Sequence, residues 1–516
     1  MVSFRRLYCL LLFTALLAAG CRRAPLPPAE IGMWYWHTPF RVTDQEWQDL
    51  KAIGVKTLYV RAGTLVTDGK EIKLILPQRW ESKAKDVVLT FNFHPGLVSH
   101  MEELSTETIA AGTLACIRDA RTKAANAGIQ ASGIQLDIDC PTRLLPRYRE
   151  ILDRVRTGLP AGETFSITAL PTWLASKHFP ALAEAVDFVV PQFYEGRTGK
   201  TIHEIAPITD PEGLRKGLAA LARLDVPCYI GLATYGHALQ YDGEGRLVSV
   251  YGGLSAEDAL RHPALEPLSS SPVDGKGHPT ADPAKAIGED LLLLRAISGD
   301  DRGRGRGYGL AYLLPTPLMV ERQMAAFRAE RPSGAKGVIF YRFPEPGESM
   351  TLPLASVAKA MTSTPTEVDV AVAFKVRSEP WSLIGTDVKS DVPPRQFTVT
   401  VVANGDAPSK ASREAFELFV LLDKPGLDGV APGDFDEAVT GSMADGAFVP
   451  AAPAHAQAIR FRRYHLLPGD RLRSGLLLVP ADGARTVRAH WTAQGTGGFR
   501  VFQGDIPSQP LLQPEP

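Results

Sequence analysis

Eight short runs of β-branched and aromatic residues recur between residue 31 and about residue 361, and amphipathic stretches separate most of them. Alternating strands and helices are typical of a parallel sheet. Eight such units predict an α/β fold, a closed (β/α)8 barrel of the TIM type over residues 31–362. The predicted strands are Gly32 to His37, Val55 to Arg61, Val87 to His94, Gly133 to Asp139, Thr164 to Leu170, Phe188 to Tyr194, Cys228 to Thr234 and Gly337 to Phe343.

Helices are predicted where apolar residues return at three-and-four spacing. Asp44 to Ala52 begins after the capping residue Thr43. Thr106 to Asn126 is long and alanine-rich, and Leu144 to Thr157 has an apolar face. The second unit differs, because Asp68 to Lys85 shows no clear helical pattern.

A long insertion, residues 238–307, lies between the seventh strand and the last helix of the predicted barrel. It is rich in Gly, Pro and Ser. Loops that follow barrel strands lie on the catalytic face. The insertion is therefore either a lid or substrate-binding subdomain, or a solvated loop.

The pattern changes at about residue 365 to short alternating strands separated by turn signals. It predicts a C-terminal antiparallel β-sandwich over residues 365–505, followed by a Pro-rich tail over residues 506–516. A structural spacer and an accessory sugar-binding domain are the two interpretations of this region. The predicted strands include Val368 to Val376, Gln396 to Val402, Glu417 to Leu422 and Thr486 to Trp491.

The N-terminus has the pattern of a secretory signal. Arg5 and Arg6 precede an apolar run that ends on small residues and Cys21. The run is about ten residues long, too short for the roughly 20 that a membrane-spanning helix needs. The segment resembles a bacterial lipoprotein signal, which implies a signal peptide over residues 1–20, a lipid anchor on Cys21, a spacer over residues 21–30, and an exported protein of the cell envelope held at the membrane.

Charge and composition narrow the classes of partner and cofactor. The formal charge is −1, or −3 without the signal arginines, which gives no electrostatic argument for nucleic acid. Cys116, Cys140 and Cys228 form neither a disulfide framework nor a zinc pattern. No nucleotide-binding or dinucleotide motif and no zinc-binding helix occurs, so neither a metal nor another cofactor is predicted.

The strand with the strongest chemical signal runs through Ser132-Gly133-Ile134-Gln135-Leu136-Asp137-Ile138-Asp139. Its period of two places Gln135, Asp137 and Asp139 on one face, which in a barrel strand is the interior. Asp139 falls at the C-terminal rim, where barrel enzymes keep their catalytic groups. Two neighbouring carboxylates raise the pKa of one of them, which is how a carboxyl becomes a general acid.

This segment resembles the catalytic strand of the chitinase-like (family 18) glycoside hydrolases, Asp-Gly-x-Asp-x-Asp-x-Glu. Gly133 and Asp137 match it, Asp139 occupies the position of the acidic glutamate, and Ser132 and Gln135 replace two aspartates. The resemblance implies that Asp139 is the acid and Asp137 its partner. The chain as a whole also resembles an uncharacterised family of bacterial lipoproteins with a TIM-type barrel and no assigned activity.

Two further strands resemble motifs of the same hydrolases. Gln192 and Tyr194 lie in the run resembling the sixth-strand motif, and Tyr341 ends the run resembling the eighth-strand motif that carries a sugar-stacking residue. Aromatic rings offer sugars a stacking surface. A further candidate for substrate contact is Gln135, on the inward face of the fourth strand. Candidates at the ends of strands are Trp36, His37, Arg61, Asn92, His94 and Glu195.

Two functions follow from these patterns. The first is an exported glycoside hydrolase that acts on a polysaccharide or oligosaccharide, with a possible amino-sugar substrate, by carboxylate acid catalysis. The second is a non-catalytic protein that binds glycan or scaffolds the envelope on a degenerate glycosidase barrel. It is favoured by the replaced aspartates and by the shorter Asp139 in place of a glutamate.

Overall fold

The computed structural model describes residues 26–194, 198–297, 309–377, 395–497 and 499–511. Eight parallel strands form a closed barrel, in which the first strand pairs with both the second and the last. Each of the eight predicted strands is present, and their bounds shift by at most six residues, the largest shift being the end of the second strand at Thr67. They are β1 (Glu30–Tyr35), β2 (Val55–Thr67), β4 (Ala84–Phe93), β5 (Ile129–Asp137), β6 (Thr164–Ala169), β7 (Phe188–Pro191), β8 (Cys228–Ala233) and β14 (Ala335–Tyr341).

The second unit lacks a helix. Its connection instead contains β3 (Ile72–Ile75), which pairs antiparallel with the extended end of β2. Elsewhere the first barrel helix begins at a capping box, in which Thr43 and Glu46 satisfy each other's backbone N–H groups. The helices are α1 (Asp44–Ile53), α2 (Pro95–Ser99), α3 (Thr106–Asn126), α4 (Leu145–Gly158), α5 (Phe179–Ala183), α6 (Pro211–Leu224), α7 (Ala256–Arg261), α8 (Pro317–Glu330) and α9 (Leu354–Met361).

The barrel interior changes from apolar to polar along the strands. Large apolar side chains such as Tyr59, Phe188 and Ile339 fill the lower interior. Above them the Gln135 amide is buried and accepts a hydrogen bond from the Trp34 indole at 2.7 Å. The carboxylates Asp137 and Asp139 follow at the next level, where the strands open on their C-terminal side, so the barrel interior is packed below and lined with polar groups above.

The insertion after β8 folds into an antiparallel sheet. The strand order is β10-β9-β13-β12-β11, and α7 lies between β10 and β11. The described part of the insertion is therefore an ordered subdomain, not a solvated loop. Its strands are β9 (His237–Tyr241), β10 (Leu247–Tyr251), β11 (Leu265–Pro272), β12 (Glu289–Ala296) and β13 (Gly309–Pro315).

The C-terminal region contains two antiparallel sheets that share one hydrophobic core. The tail predicted from residue 506 is instead the end of an edge strand that pairs through Pro510, because alternate side chains of residues 501–510 continue the pattern of the sheet. The strands are β15 (Val370–Val376), β16 (Arg395–Ala403), β17 (Phe416–Leu422), β18 (Glu437–Ala444), β19 (Ala447–Pro450), β20 (Ala458–Arg463), β21 (Arg471–Arg473), β22 (Leu477–Val479), β23 (Thr486–Gln494) and β24 (Val501–Pro510).

Buried polar contacts join the insertion to the C-terminal region. Glu257 on α7 lies 3.2 Å from the His465 imidazole, and both side chains are almost fully buried. The carboxylate of Asp290 on β12 accepts a hydrogen bond from the Gly497 backbone at 2.8 Å. These contacts hold the two units against each other.

Candidate functional site

A cleft of about 700 Å³ opens at the C-terminal ends of the barrel strands. Barrel enzymes place their reacting groups on this face. The cleft combines carboxylates, arginines and aromatic rings from the barrel with two glycines from the insertion. Its lining residues are Trp34, Trp36, His37, Thr38, Arg61, Asn92, Asp137, Asp139, Thr168, Gln192, Tyr194, Tyr235, Gly252, Gly253, Tyr341, Arg342 and Glu345.

The carboxyl pair comes from the end of β5. Asp137 is the last residue of the strand and is partly buried, whereas Asp139 lies two residues beyond and is exposed in the cleft. The Thr168 hydroxyl donates a hydrogen bond to Asp137 Oδ1 at 2.7 Å, and the Gln192 amide approaches the same oxygen at 3.5 Å. Neighbouring strands β6 and β7 therefore fix the orientation of this carboxyl.

Burial raises the pKa of Asp137 from its usual 3.8 to about 6, and the charge of Asp139 contributes to the rise. The hydrogen bond from Thr168 opposes it, since it stabilises the ionised form. Two acidic groups that interact in this way titrate as a pair. The pair therefore retains a proton at mildly acidic pH, where an isolated aspartate has lost it.

Aromatic rings surround Tyr341 at the side of the cleft. Tyr194 stacks on Tyr341 with 5.5 Å between ring centroids and an interplanar angle of 15°. Trp36 and Tyr235 meet the same ring edge-on, at 5.7 and 5.1 Å. Such faces pack against the C–H groups of sugar rings, while hydroxyl and indole groups supply hydrogen bonds.

The two arginines of the cleft differ in their surroundings. The guanidinium of Arg342 is buried and forms two hydrogen bonds with Glu348, at 3.0 and 2.5 Å, and lies 3.7 Å from Glu345. Arg61 has no carboxylate within ion-pair distance among the described residues, and its Nε is buried without a hydrogen-bond partner there. Burial, followed by the charges of Arg342 and Arg61, lowers the pKa of His37 to about 4, so that this imidazole is neutral at pH 7.

Nine of the residues predicted from sequence lie together at the cleft. They are Trp36, His37, Arg61, Asn92, Asp137, Asp139, Gln192, Tyr194 and Tyr341.

Two predicted residues lie elsewhere. Gln135 is fully buried one level below the cleft, where its amide also donates to Ser166 at 3.3 Å. His94 caps α2 by accepting a hydrogen bond from the Gly96 backbone at 3.0 Å, so it serves the helix and does not line the cleft. Glu195 and Cys21 fall outside the described residues.

Several lining residues were not predicted from sequence. Thr168 follows the period-two pattern of β6 and could have been found from it. Tyr235 and Arg342 lie just after the strands β8 and β14, in positions where barrel enzymes carry functional side chains. Gly252 and Gly253 carry no local signal, because the fold of the insertion alone brings them to the cleft.

No group of three or more histidine, cysteine or acidic side chains suited to a metal ion occurs in the described part of the chain. Among the same residues, none of the helices is both long enough and apolar enough to cross a membrane.

A family model described as a domain of unknown function (DUF3142) matches residues 97–260. The matched segment covers about a third of the chain and includes β5 with Asp137 and Asp139. None of the curated proteins matches the chain in sequence.

The chain is also similar to solved structures, over about two-thirds of its length. The spore cortex-lytic enzyme SleL of Bacillus cereus is 15% identical with a TM-score of 0.41, over 66% of this chain and 75% of that one. A chitinase from Chromobacterium violaceum is 12% identical with a TM-score of 0.41, over 66% and 100% of the two chains. A chitinase-like agglutinin from Robinia pseudoacacia is 12% identical with a TM-score of 0.37, over 64% and 99%. Similarity at this level carries no information about activity.

Proposed function

We propose that this protein is a glycoside hydrolase whose cleft binds a polysaccharide and whose carboxyl pair, Asp137 and Asp139, supplies acid catalysis. The observation that carries the proposal is this pair at the rim of the barrel, with the pKa of Asp137 raised to about 6. Glycosidic oxygens are poor leaving groups unless they are protonated, so a carboxyl that keeps its proton near neutral pH is the group the reaction needs.

The two carboxyls take different roles in this mechanism. Asp139 is exposed in the cleft and donates the proton to the leaving oxygen, as its resemblance to the acid position of family 18 implies. Asp137, oriented by Thr168, carries the shared proton in the free protein; when substrate binds, the proton passes to Asp139, and Asp137 stays ionised beside it. If the sugar carries a 2-acetamido group, its carbonyl oxygen attacks the anomeric carbon; other sugars require a water or a protein carboxylate.

The aromatic cluster supports sugar binding. Tyr194 and Tyr341 present stacked rings beside the carboxyls, and the residues around them mix apolar faces with hydrogen-bonding groups. A cleft of about 700 Å³ has room for a few sugar units.

The test is release of reducing ends from a panel of amino-sugar and neutral polysaccharides. We expect Asp139→Asn to lower kcat on the order of 10²- to 10⁴-fold, the usual contribution of a general acid. Asp153→Asn, an exposed aspartate on the outer helix α4, is the matched control and keeps full activity.

Inactivity of the wild-type protein on every substrate, with glycan binding retained, would favour the non-catalytic binding function. In that case Asp139→Glu restores the longer acid side chain of the hydrolase motif. A gain of hydrolysis in this variant would show a barrel that has lost catalysis through the shorter residue, since a displacement of about 1 Å costs on the order of a hundredfold in rate.

The proposed location of the protein is the cell envelope. The protein is exported and held at the envelope through a lipid on Cys21, and Cys21→Ser is expected to release it from the membrane fraction. The C-terminal region is a β-sandwich, as predicted from sequence for residues 365–505 but extended through Pro510, and the single core that its two sheets share supports this. In this arrangement the sandwich acts as a structural spacer.

A further inference from the structure

One arginine of the candidate cleft, Arg61, forms no ion pair with any residue that the structure describes. Arg61 is partly buried at the end of the regular part of β2, before the register shift to Gly63. Its Nε is buried and has no hydrogen-bond partner among the described residues. Burial lowers the pKa of Arg61, but a guanidinium stays protonated at physiological pH. The cleft therefore contains a positive charge that has no ion-pair partner among the described residues.

A second unsatisfied group lies beside it. His37 Nδ1 is also buried without a partner in the described part of the chain. The Gln78 amide donates to the backbone oxygens of both His37 and Arg61, at 2.9 and 3.1 Å, so the two residues are held side by side. Two buried polar atoms without partners thus occur at one corner of the cleft.

The other arginine of the cleft, Arg342, does have a carboxylate partner, in contrast to Arg61. Arg342 is paired with Glu348 and lies close to Glu345. Glu345 acts on Arg61 only from beyond ion-pair distance. Leaving one partly buried guanidinium without an anion costs stability, and an anionic group on a ligand would offset that cost.

The carboxylates Asp137 and Asp139 lie on β5 and just beyond it, separated from Arg61 by the intervening strand β4. Positive charge at β2 and negative charge at β5 therefore occupy different parts of the same cleft. A neutral sugar chain can stack on the aromatic rings equally well, but it brings no anionic group to the Arg61 guanidinium.

We propose that the substrate is an acidic polysaccharide, and that Arg61, with the neutral His37 beside it, binds an anionic oxygen group on one of its sugars. This inference rests on the proposed function, since it assigns a substrate class to the same cleft. A planar carboxylate, as in a uronic acid, matches the fork of the guanidinium; a sulfate ester presents similar oxygens.

The test is calorimetric titration of the Asp139→Asn protein, which binds without cleaving. The acidic ligands are fragments of hyaluronan, polygalacturonate and alginate, and each is compared with its carboxyl-reduced form. Chitotetraose is the neutral ligand, and chondroitin sulfate is the sulfated ligand. At least one acidic fragment is expected to bind on the order of 10- to 100-fold more tightly than its reduced form.

Adding Arg61→Gln is expected to weaken binding of the acidic fragment far more than binding of chitotetraose, so that the preference is lost. Arg61→Lys retains part of the preference, because it keeps the charge without the fork. Arg118→Gln, an exposed arginine on the outer helix α3, is the matched control and alters neither affinity. Preference for chondroitin sulfate over the carboxylate ligands would assign the corner to sulfate.

Equal affinity for acidic and reduced fragments would overturn the inference and leave the proposed function intact. Equal weakening of acidic and neutral ligands by Arg61→Gln would do the same, since it would make Arg61 a general contact. If no glycan binds at all, both the inference and the proposed function fail.

Discussion

Replacing Asp137 by asparagine tests the electrostatics of the cleft directly. Asparagine has nearly the same shape, and its carbonyl oxygen still accepts the hydrogen bond that the Thr168 hydroxyl now donates to the carboxyl. What the change removes is the buried negative charge. The protein is therefore expected to become more stable at neutral pH while its activity falls.

The magnitude follows from the pKa. In the folded protein the pKa of Asp137 is about 6 and its usual value is 3.8, a rise of about two units. Each unit is worth about 1.36 kcal/mol, so ionising this carboxyl destabilises the fold by about 3 kcal/mol above pH 6. Because the folded pKa is raised, the favourable contribution is present below pH 3.8 and is lost as the pH rises through about 6.

The assay is urea unfolding of wild type and Asp137→Asn between pH 4 and pH 8. We expect the variant to be more stable by about 3 kcal/mol at pH 7.5 and by less than about 1 kcal/mol at pH 4. Asp139→Asn replaces an exposed carboxyl, whose ionisation costs little desolvation, and should shift stability less. If Asp137→Asn is no more stable than wild type at pH 7.5, the carboxyl is not a strained buried acid and the proposed acid catalysis loses its main support.

Three further predictions concern the surroundings of the cleft. Gln135→Leu should lower the free energy of unfolding by about 2–4 kcal/mol, because the buried Trp34 indole and Ser166 hydroxyl lose the amide to which they now bond. Urea unfolding at pH 7 measures this loss. Glu257→Gln breaks the buried pair with His465 and should cost about 3 kcal/mol at pH 7. Because the pKa of Glu257 lies well below its usual 4.5, that cost should shrink as the pH falls below about 4.5 in the same assay. Thr168→Val removes a donor to the ionised form and should raise the pKa of Asp137 above about 6, which carboxyl-carbon NMR titration measures.

The barrel could be predicted because its signal is local. Each strand is an apolar run bounded by turns, and Asp137 and Asp139 interrupt one of them at period two. The same periodicity places Gln135 on the correct face but does not give its depth. Inward positions two residues apart are about 6.6 Å apart along a strand, which is the distance between a buried level and the cleft.

Other features of the site could not be predicted because they depend on tertiary contacts. The Gly252 carbonyl reaches the cleft and approaches Arg342 at 3.4 Å only because the insertion folds into a sheet. The Gly, Pro and Ser content of the insertion concealed strands such as β12, which carries a run of four leucines. His94 was misassigned for a different reason, since a histidine at the end of a strand is also a residue that can cap the helix that follows.

The buried contacts between the insertion and the C-terminal region have a consequence for how this chain can change by recombination. A domain joined by a flexible linker can be exchanged or lost without disturbing its neighbour. Here, removal of the C-terminal region would uncover Glu257 and Asp290, two acidic side chains on the subdomain that also contributes a wall of the cleft. We therefore expect the barrel with its insertion to be inherited together with the C-terminal region, and a shortened chain that ends after the barrel would need new residues at these positions to keep its cleft.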